Sequence, residues 1–290
     1  MTANTRSVTR AAPAKLNVFL RVLGGREDGY HDLESLVLPV SLADEVTVTE
    51  AEKLDVIVDA EIELSEGLDA GGMNLSLVDA LALAESCGGR IRGAEIRIVK
   101  RIPVAAGLGG GSADAAATLL ALNDLWGCSL DHDGLLSIGE RIGSDVPAML
   151  AGGPVMVRGR GEQIVPVHVA TTWWVIKPFG FPTRSPDAYR WWDEHGGTIG
   201  PDPGILVAAA ETGNVDLLGH ALFNDLEEPV SQRHPEIAET KRAFLEAGAL
   251  GAIMSGSGPT VVALGRHMDH AGRLAAVVEG SFVVSGPPAA

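Results

Sequence analysis

Cysteine is almost missing from this 290-residue chain, which has only Cys87 and Cys128. The two make neither a metal-ligand spacing nor a disulfide framework, which fits a reducing compartment, and each is expected to be a packed thiol. Long apolar runs are missing as well. No stretch reaches the ~18 uninterrupted apolar residues of a spanning helix. Residues 1–17 hold no apolar core of a signal peptide, so a cytoplasmic chain off the membrane is expected. Positive charge is scarce: 22 Lys and Arg against 38 Asp and Glu leave a formal charge of −16. Such a field repels phosphate backbones and anionic headgroups, so neither nucleic acid nor a membrane surface is expected as a partner. Internal repeats and low-complexity linkers are also absent.

What remains is a folded chain of ordinary balance, 46% hydrophobic and 21% charged, long enough for two domains. Its one compositional anomaly is 36 glycines, well above the usual ~7% and gathered in clusters. Strand patterns occupy residues 16–20, 36–38, 45–49 and 54–58, which predicts a mixed sheet. A three-and-four apolar spacing predicts a helix over 74–87, stopped by Gly88 and Gly89. Ile96, Ile98 and Ile102 share one face of a further strand, with Glu95, Arg97 and Arg101 on the other, until Pro103 breaks the run. That strand enters the cluster Gly107-Leu108-Gly109-Gly110-Gly111. Ser112 is a good N-cap for the helix that leaves it, Asp114 suits the first turn, and Gly127 ends it. A helix ending at Gly143 and a hairpin around Gly159-Arg160-Gly161 follow. The boundary is placed near residue 167, giving domains 1–167 and 168–290. The second, smaller α+β half has strands at 173–176 and 261–264 and helices at 186–194, 205–210 and 237–247.

Small residues between a strand and a helix start let backbone N–H groups approach an anion, and the helix dipole favours negative charge there. The loop therefore reads as a phosphate cradle; a turn serving close packing alone is the plainer alternative. Two familiar nucleotide motifs are excluded. Gly111 stands where the phosphate-loop pattern needs a lysine, and Ser112 where the dinucleotide fingerprint needs a glycine.

The stretch from Pro103 to Ala116, PVAAGLGGGSADAA, resembles the phosphate loop of the GHMP kinases. Two more blocks agree with it: Ala12-Pro13-Ala14-Lys15-Leu16-Asn17 and Ser255-Gly256-Ser257-Gly258-Pro259-Thr260. Within that superfamily, Asp28-Gly29-Tyr30-His31-Asp32-Leu33 and Gly143-Ser144-Asp145-Val146-Pro147 are similar to the members whose acceptor carries cytidine diphosphate. The resemblance covers nearly the whole chain. It implies an α+β, two-domain fold, the N-terminal half like the second domain of ribosomal protein S5 and the C-terminal half ferredoxin-like. It also implies ATP-dependent phosphorylation of the 2-hydroxyl of diphosphocytidyl methylerythritol, in the non-mevalonate route to isoprenoid precursors.

The resemblance assigns roles residue by residue, each beside a plainer reading. Asp145 takes the acceptor's proton, where an isolated aspartate before Pro147 is as readily a helix cap. Lys15 works beside it, holding it ionised, although strand-edge lysines are usually solvated. Asn17, two residues on, shares Lys15's strand face. Tyr30 stacks on the cytosine and His31 hydrogen-bonds its edge; lone residues of these types are more often packing. Tyr189 is the second stacking aromatic, with Ser185 as its hydroxyl partner and Thr183 competing for that place. Asn74 and Lys100 line the adenosine pocket, or else are an N-cap and a solvated strand-end charge. Pro103, Gly107, Gly109, Gly110, Gly111 and Ser112 form the nucleotide loop, and Ser257 and Gly258 approach the phosphates or the acceptor. Trp173-Trp174 and Trp191-Trp192 are expected in core and interface. ATP and Mg²⁺ are the implied cofactors, with no protein ligand for the metal identified. Despite the overall charge, loop N–H groups, Lys15, Lys100 and Mg²⁺ are expected to dominate locally, since screening reaches only ~8 Å. Two competing expectations are a GHMP kinase for homoserine or a sugar and a noncatalytic regulator of the same fold.

Overall fold

The computed structural model describes residues 5–60, 72–88, 93–197 and 199–288. The chain forms two compact units that interleave along the sequence. One comprises residues 1–14, 42–104 and 109–152, the other 15–41, 105–108 and 153–290. The expected single boundary near residue 167 is thus replaced by several passages of the chain between units. Two long strands, β1 (Ser7–Gly25) and β2 (His31–Glu50), each run through both. The stretches 36–38 and 45–49, expected as separate strands, are both within β2. The strand runs on through Pro39, Ser41 and Asp44, residues that often turn a chain, because Asp44 is held by Lys100 and by the N–H groups of Arg101 and Ile102.

In the first unit, β3 (Leu54–Ala60) runs parallel to β4 (Ala94–Lys100), and β4 is antiparallel to the end of β2, with Val46 opposite Ile98. The mixed pairing is the expected one. Val46, Val48, Ile96 and Ile98 point to one face, which α1 (Gly72–Ser86), α2 (Gly110–Trp126), α3 (His132–Ile142) and α4 (Val146–Leu150) help to cover in a single core. Leu83, Leu119, Leu122 and Leu135 are among its members. Helix α2 is buried along most of its length and closes on Gly127, whose φ of 64° is the left-handed C-cap a glycine adopts without strain.

Cys87 and Cys128, just past the ends of α1 and α2, are joined in a disulfide across a Cα separation of 5.3 Å. The expectation of two packed thiols is corrected here. The pairing follows from two adjacent helix ends, 41 residues apart in sequence, and no local spacing announces it. Both carboxyl oxygens of Asp79 on α1 are buried without a hydrogen-bond partner among the described residues.

In the second unit, the start of β2 pairs antiparallel with β5 (Val155–Gly159), which turns back into β6 (Gln163–Pro166) as the expected hairpin. A separate antiparallel sheet has the order β11-β7-β10-β9 once β7 (Thr172–Lys177) is joined by the later strands. Between them come α5 (Ser185–Glu194), α6 (Gly204–Thr212) and α7 (Val215–His220). Then follow β8 (Phe223–Asn224), parallel to β1, and α8 (Glu227–Ser231), α9 (Pro235–Glu246), β9 (Gly251–Met254), β10 (Val261–Gly265), α10 (Met268–Ala275) and β11 (Phe282–Gly286). Val175, Trp192, Phe244, Val261 and Leu274 anchor the core of this α+β unit. In each tryptophan pair one ring is buried, Trp174 and Trp192, while Trp173 and Trp191 pack at the margin. No helix among the described residues is long and apolar enough to cross a membrane.

Candidate active site

The glycine loop ends on a helix that starts earlier than expected. Gly109, with φ 70°, is the N-cap of α2, and no side chain caps it. Ser112 is therefore the third residue of the helix and not its cap, a correction with a clear cause. The left-handed cap suits glycine, and Gly109 supplies it before the hydroxyl is reached. The N–H groups of Gly110, Gly111 and Ser112 sit in the first turn, where no intrahelical acceptor exists, at the positive end of the helix dipole. Nothing but hydrogen projects from two of these three residues, so an anion meets bare backbone.

Beneath this turn lies an ionic cluster. The Lys100 ammonium binds Asp44 and, at 2.6 Å, Asp114, and both carboxylates are wholly buried. Asp44 also accepts the backbone N–H groups of Arg101 and, at 2.8 Å, Ile102. The cluster ties β2, the end of β4 and the start of α2 together. A Cβ on Gly110 would stand 3.2 Å from the Ile102 side chain and 3.3 Å from Lys100 Nζ. Burial pushes the Asp114 carboxyl up; the Lys100 charge opposes this and Asp44 adds to it. For Lys100, burial acts to lower the ammonium and the two carboxylates outweigh it, raising it. The solvated strand-end reading of Lys100 fails, and so does the expectation that its charge dominates locally: two carboxylates meet it. Asp114 lies beyond the first turn, where it serves this cluster.

Asp145 also belongs to the first unit. It stands at the N-cap position before α4, whose second residue is Pro147, yet its side chain makes no capping bond and it is exposed. Asn74 lies inside α1, and so is not its N-cap; its side chain is outside the described residues. Pro103 follows β4 directly after Ile102.

In the second unit, Lys15 and Asn17 alternate along β1 on one face, as their spacing predicts, and both are buried. Lys15 Nζ donates to Asn17 Oδ1. Asn17 Nδ2 donates to Ser35 Oγ at 2.7 Å, and Ser35 in turn donates to the Phe19 carbonyl at 2.7 Å. The Asn17 N–H donates to Ser255 Oγ at 3.0 Å, across 238 residues of sequence. Gly256, at φ 59°, covers this pair so closely that a Cβ would fall 2.7 Å from Asn17 Oδ1 and 3.3 Å from Lys15 Nζ. Gly107, at φ 77°, meets the same turn: its Cβ would be 2.5 Å from the Gly258 carbonyl oxygen. Asn224 holds the turn from behind, its Nδ2 donating to the Met254 and Gly256 carbonyls, each at 2.7 Å. Ser257 Oγ pairs with Ser185 Oγ at 2.9 Å, while Thr183 Oγ1 is buried without a partner among the described residues. Sequence reasoning missed Ser35 and Asn224, since neither sits in a glycine block nor at a telling spacing.

Tyr30 follows the Asp28-Gly29 turn, where Asp28 Oδ1 accepts the Tyr30 N–H at 3.1 Å and Gly29 takes φ 83°. That backbone bond, opposed by desolvation and helped by Arg26, holds the Asp28 carboxyl below its ordinary value. The Tyr30 ring is half exposed, with the Arg160 guanidinium over it at 5.4 Å. His31 stacks on Tyr189 with ring centroids 4.9 Å apart, meets the edge of Trp192 at 5.7 Å, and places Nε2 3.0 Å from Asp193 Oδ1. The structure thus brings His31, Tyr189 and Trp192 into one aromatic neighbourhood, while the Tyr30 ring faces Arg160. Among the described residues no cluster of three His, Cys, Asp or Glu side chains is placed to hold a metal ion.

Comparison with known proteins agrees with this geometry. Residues 74–153 match the GHMP kinases N terminal domain and residues 206–283 the GHMP kinases C terminal domain. A 4-diphosphocytidyl-2-C-methyl-D-erythritol kinase of Symbiobacterium thermophilum is 42% identical over 264 residues, 90% of this chain and 92% of its own length. The kinase of the same name from Kineococcus radiotolerans is 42% identical over 287 residues, 95% of this chain and 87% of its own. A crystal structure of 4-(cytidine 5'-diphospho)-2C-methyl-D-erythritol kinase superposes with a TM-score of 0.80 at 31% identity, covering 97% of this chain and all of the other. With both halves matched and relatives of this identity spanning nearly its full length, the chain belongs to the GHMP kinases, in the family of the 4-diphosphocytidyl-2-C-methyl-D-erythritol kinases.

Proposed function

We propose that this chain transfers a phosphoryl group from ATP to the 2-hydroxyl of 4-diphosphocytidyl-2-C-methyl-D-erythritol in the cytoplasm, a step of non-mevalonate isoprenoid synthesis. The observation that carries the choice of acceptor within the GHMP kinases is the exposed Tyr30 ring next to His31. A flat aromatic face beside an imidazole suits a nucleobase, and neither homoserine nor a sugar has use for it.

The donor's phosphates fit the first turn of α2. Its N–H groups are free of intrahelical acceptors, its cap is a bare glycine, and Gly107 and Gly109 adopt the positive φ that opens the loop. Lys100 supports that turn from beneath through Asp44 and Asp114. Asp145, exposed and not used as a cap, takes the proton of the acceptor hydroxyl. Lys15, held by Asn17 under the Gly256 turn, brings positive charge to the reacting oxygens. Ser185 and Ser257 place hydroxyls along the acceptor, and Tyr189 backs the base through His31. Mg²⁺ arrives with the nucleotide and neutralises phosphate charge; no acidic trio among the described residues would hold it, and no step is assigned to it.

An assay of ADP release, coupled to an absorbance readout, tests the proposal. Release should depend on the cytidine diphosphate acceptor and be absent with homoserine, galactose or mevalonate. Turnover of one of those acceptors in place of the cytidine compound would refute it.

A further inference from the structure

Three buried side chains of the second unit form a line of hydrogen bonds that runs in one direction. Lys15 Nζ donates to Asn17 Oδ1, Asn17 Nδ2 donates to Ser35 Oγ at 2.7 Å, and Ser35 donates to the Phe19 carbonyl at 2.7 Å. Ser35 is the most deeply buried of the three, at 2% exposure. Both ends fix the direction: an ammonium has only protons to give, and a backbone carbonyl has only lone pairs. Ser35 carries a single hydroxyl proton. Because the Phe19 carbonyl takes it, Oγ can only accept from Asn17.

The consequence falls on the Asn17 amide. Its oxygen and its NH2 group have nearly the same shape and its terminal torsion is broad, so packing alone does not choose which of them faces Lys15. The backbone on either side is already pinned. The Lys15 N–H donates to the Leu108 carbonyl at 2.9 Å, and the Asn17 N–H donates to Ser255 Oγ at 3.0 Å. Gly256 closes the side beyond Oδ1, where a Cβ would fall 2.7 Å from that oxygen. What is left to decide is the orientation of the amide, and the Ser35 hydroxyl decides it.

We propose that Ser35 is a positioning residue for phosphoryl transfer: by accepting from Asn17 Nδ2 it turns Asn17 Oδ1 toward Lys15 and so holds the ammonium at the reacting oxygens. The inference rests on the reading of Lys15 as the cation of that site. Without the hydroxyl, the Asn17 NH2 group is buried with no acceptor. Turning the amide over would set that group against the Lys15 ammonium, donor facing donor. Either way the ammonium loses its fixed place, and a misplacement of about 1 Å near a reacting centre costs up to about a hundredfold in rate.

The test uses the full chain as wild type, Ser35→Ala, Ser35→Cys, Ser35→Thr, Lys15→Met and the Ser35→Ala, Lys15→Met double variant. Urea unfolding identifies the variants that are folded under assay conditions, and turnover is read by ADP release. Ser35→Ala should lower kcat by about 10- to 100-fold, while KM for the acceptor and Kd for ATP change by less than about threefold. Ser35→Cys, which nearly keeps the volume but replaces the oxygen by a weak acceptor, should follow the alanine variant and serves in its place if that variant does not fold. Ser35→Thr keeps the hydroxyl on a strand that suits a β-branched residue and should restore most of kcat. With Lys15→Met already present, Ser35→Ala should cost less than about threefold more, because the hydroxyl acts through the ammonium. Losses that multiply in the double variant, or a cysteine variant within about twofold of wild-type kcat, overturn the role of Ser35 while leaving Lys15 in the site. Near-wild-type turnover of Lys15→Met removes Lys15 from the reaction, and this inference with it.

Discussion

Replacing Asp79 by asparagine should make the protein less sensitive to rising pH, by an amount the structure fixes. Asp79 sits on α1 one turn beyond Ser76, whose hydroxyl pairs with Thr118 of α2, and its carboxyl is buried without a hydrogen-bond partner among the described residues. Burial alone pushes it up to about 8. In the unfolded chain the same group titrates near 3.9. Between those values the native state holds a proton that the unfolded state has released. Stability must therefore fall as pH rises, by about 1.4 kcal/mol per pH unit, starting near pH 4 and levelling off near pH 8. From pH 5 to pH 7 the loss owed to this residue is roughly 2–3 kcal/mol, a large share of the ~5–15 kcal/mol that holds a domain together. Asparagine has the same shape and does not titrate. Urea unfolding of both proteins at half-unit steps from pH 5 to 7.5, disulfide intact, should show the variant gaining on wild type at each step. The Asp114 carboxyl, also raised by burial, adds a slope of the same sign to both proteins and drops out of the difference. A difference that stays constant within about 0.5 kcal/mol across the range would refute the reasoning, since a group ionised in both states contributes no slope.

Other predictions follow from the site. Gly256→Ala should lose about 1–2 kcal/mol in urea unfolding for its left-handed backbone. Its methyl group, aimed at Asn17 Oδ1 and Lys15 Nζ, should lower kcat more than it weakens ATP binding; the reverse split would move Lys15 out of the reaction. Asp145→Asn should lower kcat by about 10²–10⁴ while calorimetric affinities for both substrates change only severalfold, because the base is removed and the binding groups stay. Near-normal turnover would make Asp145 a merely polar residue. Reducing the Cys87–Cys128 bond, which closes a 41-residue loop, should cost roughly 4 kcal/mol of unfolding free energy on the loop-entropy estimate. The double serine variant should match the reduced protein and ignore the reductant; equal stability of oxidised and reduced wild type would contradict the estimate.

The elements most legible in the sequence were those whose cause is local. Helix α2 was visible from Ser112 onward by its apolar stripe and its Gly127 stop, and β4 by the alternation of Ile96 and Ile98. The errors sit where a tertiary cause competes. Ser112 looked like a cap because hydroxyl residues usually cap helices, but a left-handed glycine one turn ahead starts the helix without a side chain. The strand signal lapses between Leu38 and Glu45, yet β2 continues because Asp44 is drawn inward by Lys100 and two backbone N–H groups. The two cysteines gave no hint of each other because a disulfide needs only two Cα atoms within reach, and that proximity belongs to the packing of α1 on α2.

The same contrast bears on how the proposed nucleotide loop would meet phosphate without the lysine of the phosphate-loop pattern. Lys100 was the natural substitute, a cation at the end of the strand that feeds the loop. Its charge is met by two buried carboxylates, so the cluster as a whole cannot attract an anion. What the cluster does offer is rigidity. It fixes Arg101 and Ile102 through their backbone and Asp114 through its side chain, and so sets where β4 ends and α2 begins. Under the proposed function, phosphate recognition would then fall to the N–H groups of the first helical turn, which work only if nothing bulky projects beside them. Gly109, Gly110 and Gly111 meet that condition, and Gly110 has no room for a side chain on the inner face without crowding Ile102 and Lys100. The glycine excess that stood out in the composition is therefore the visible part of the site. The buried Asp44–Lys100–Asp114 cluster is the part that makes it hold its shape.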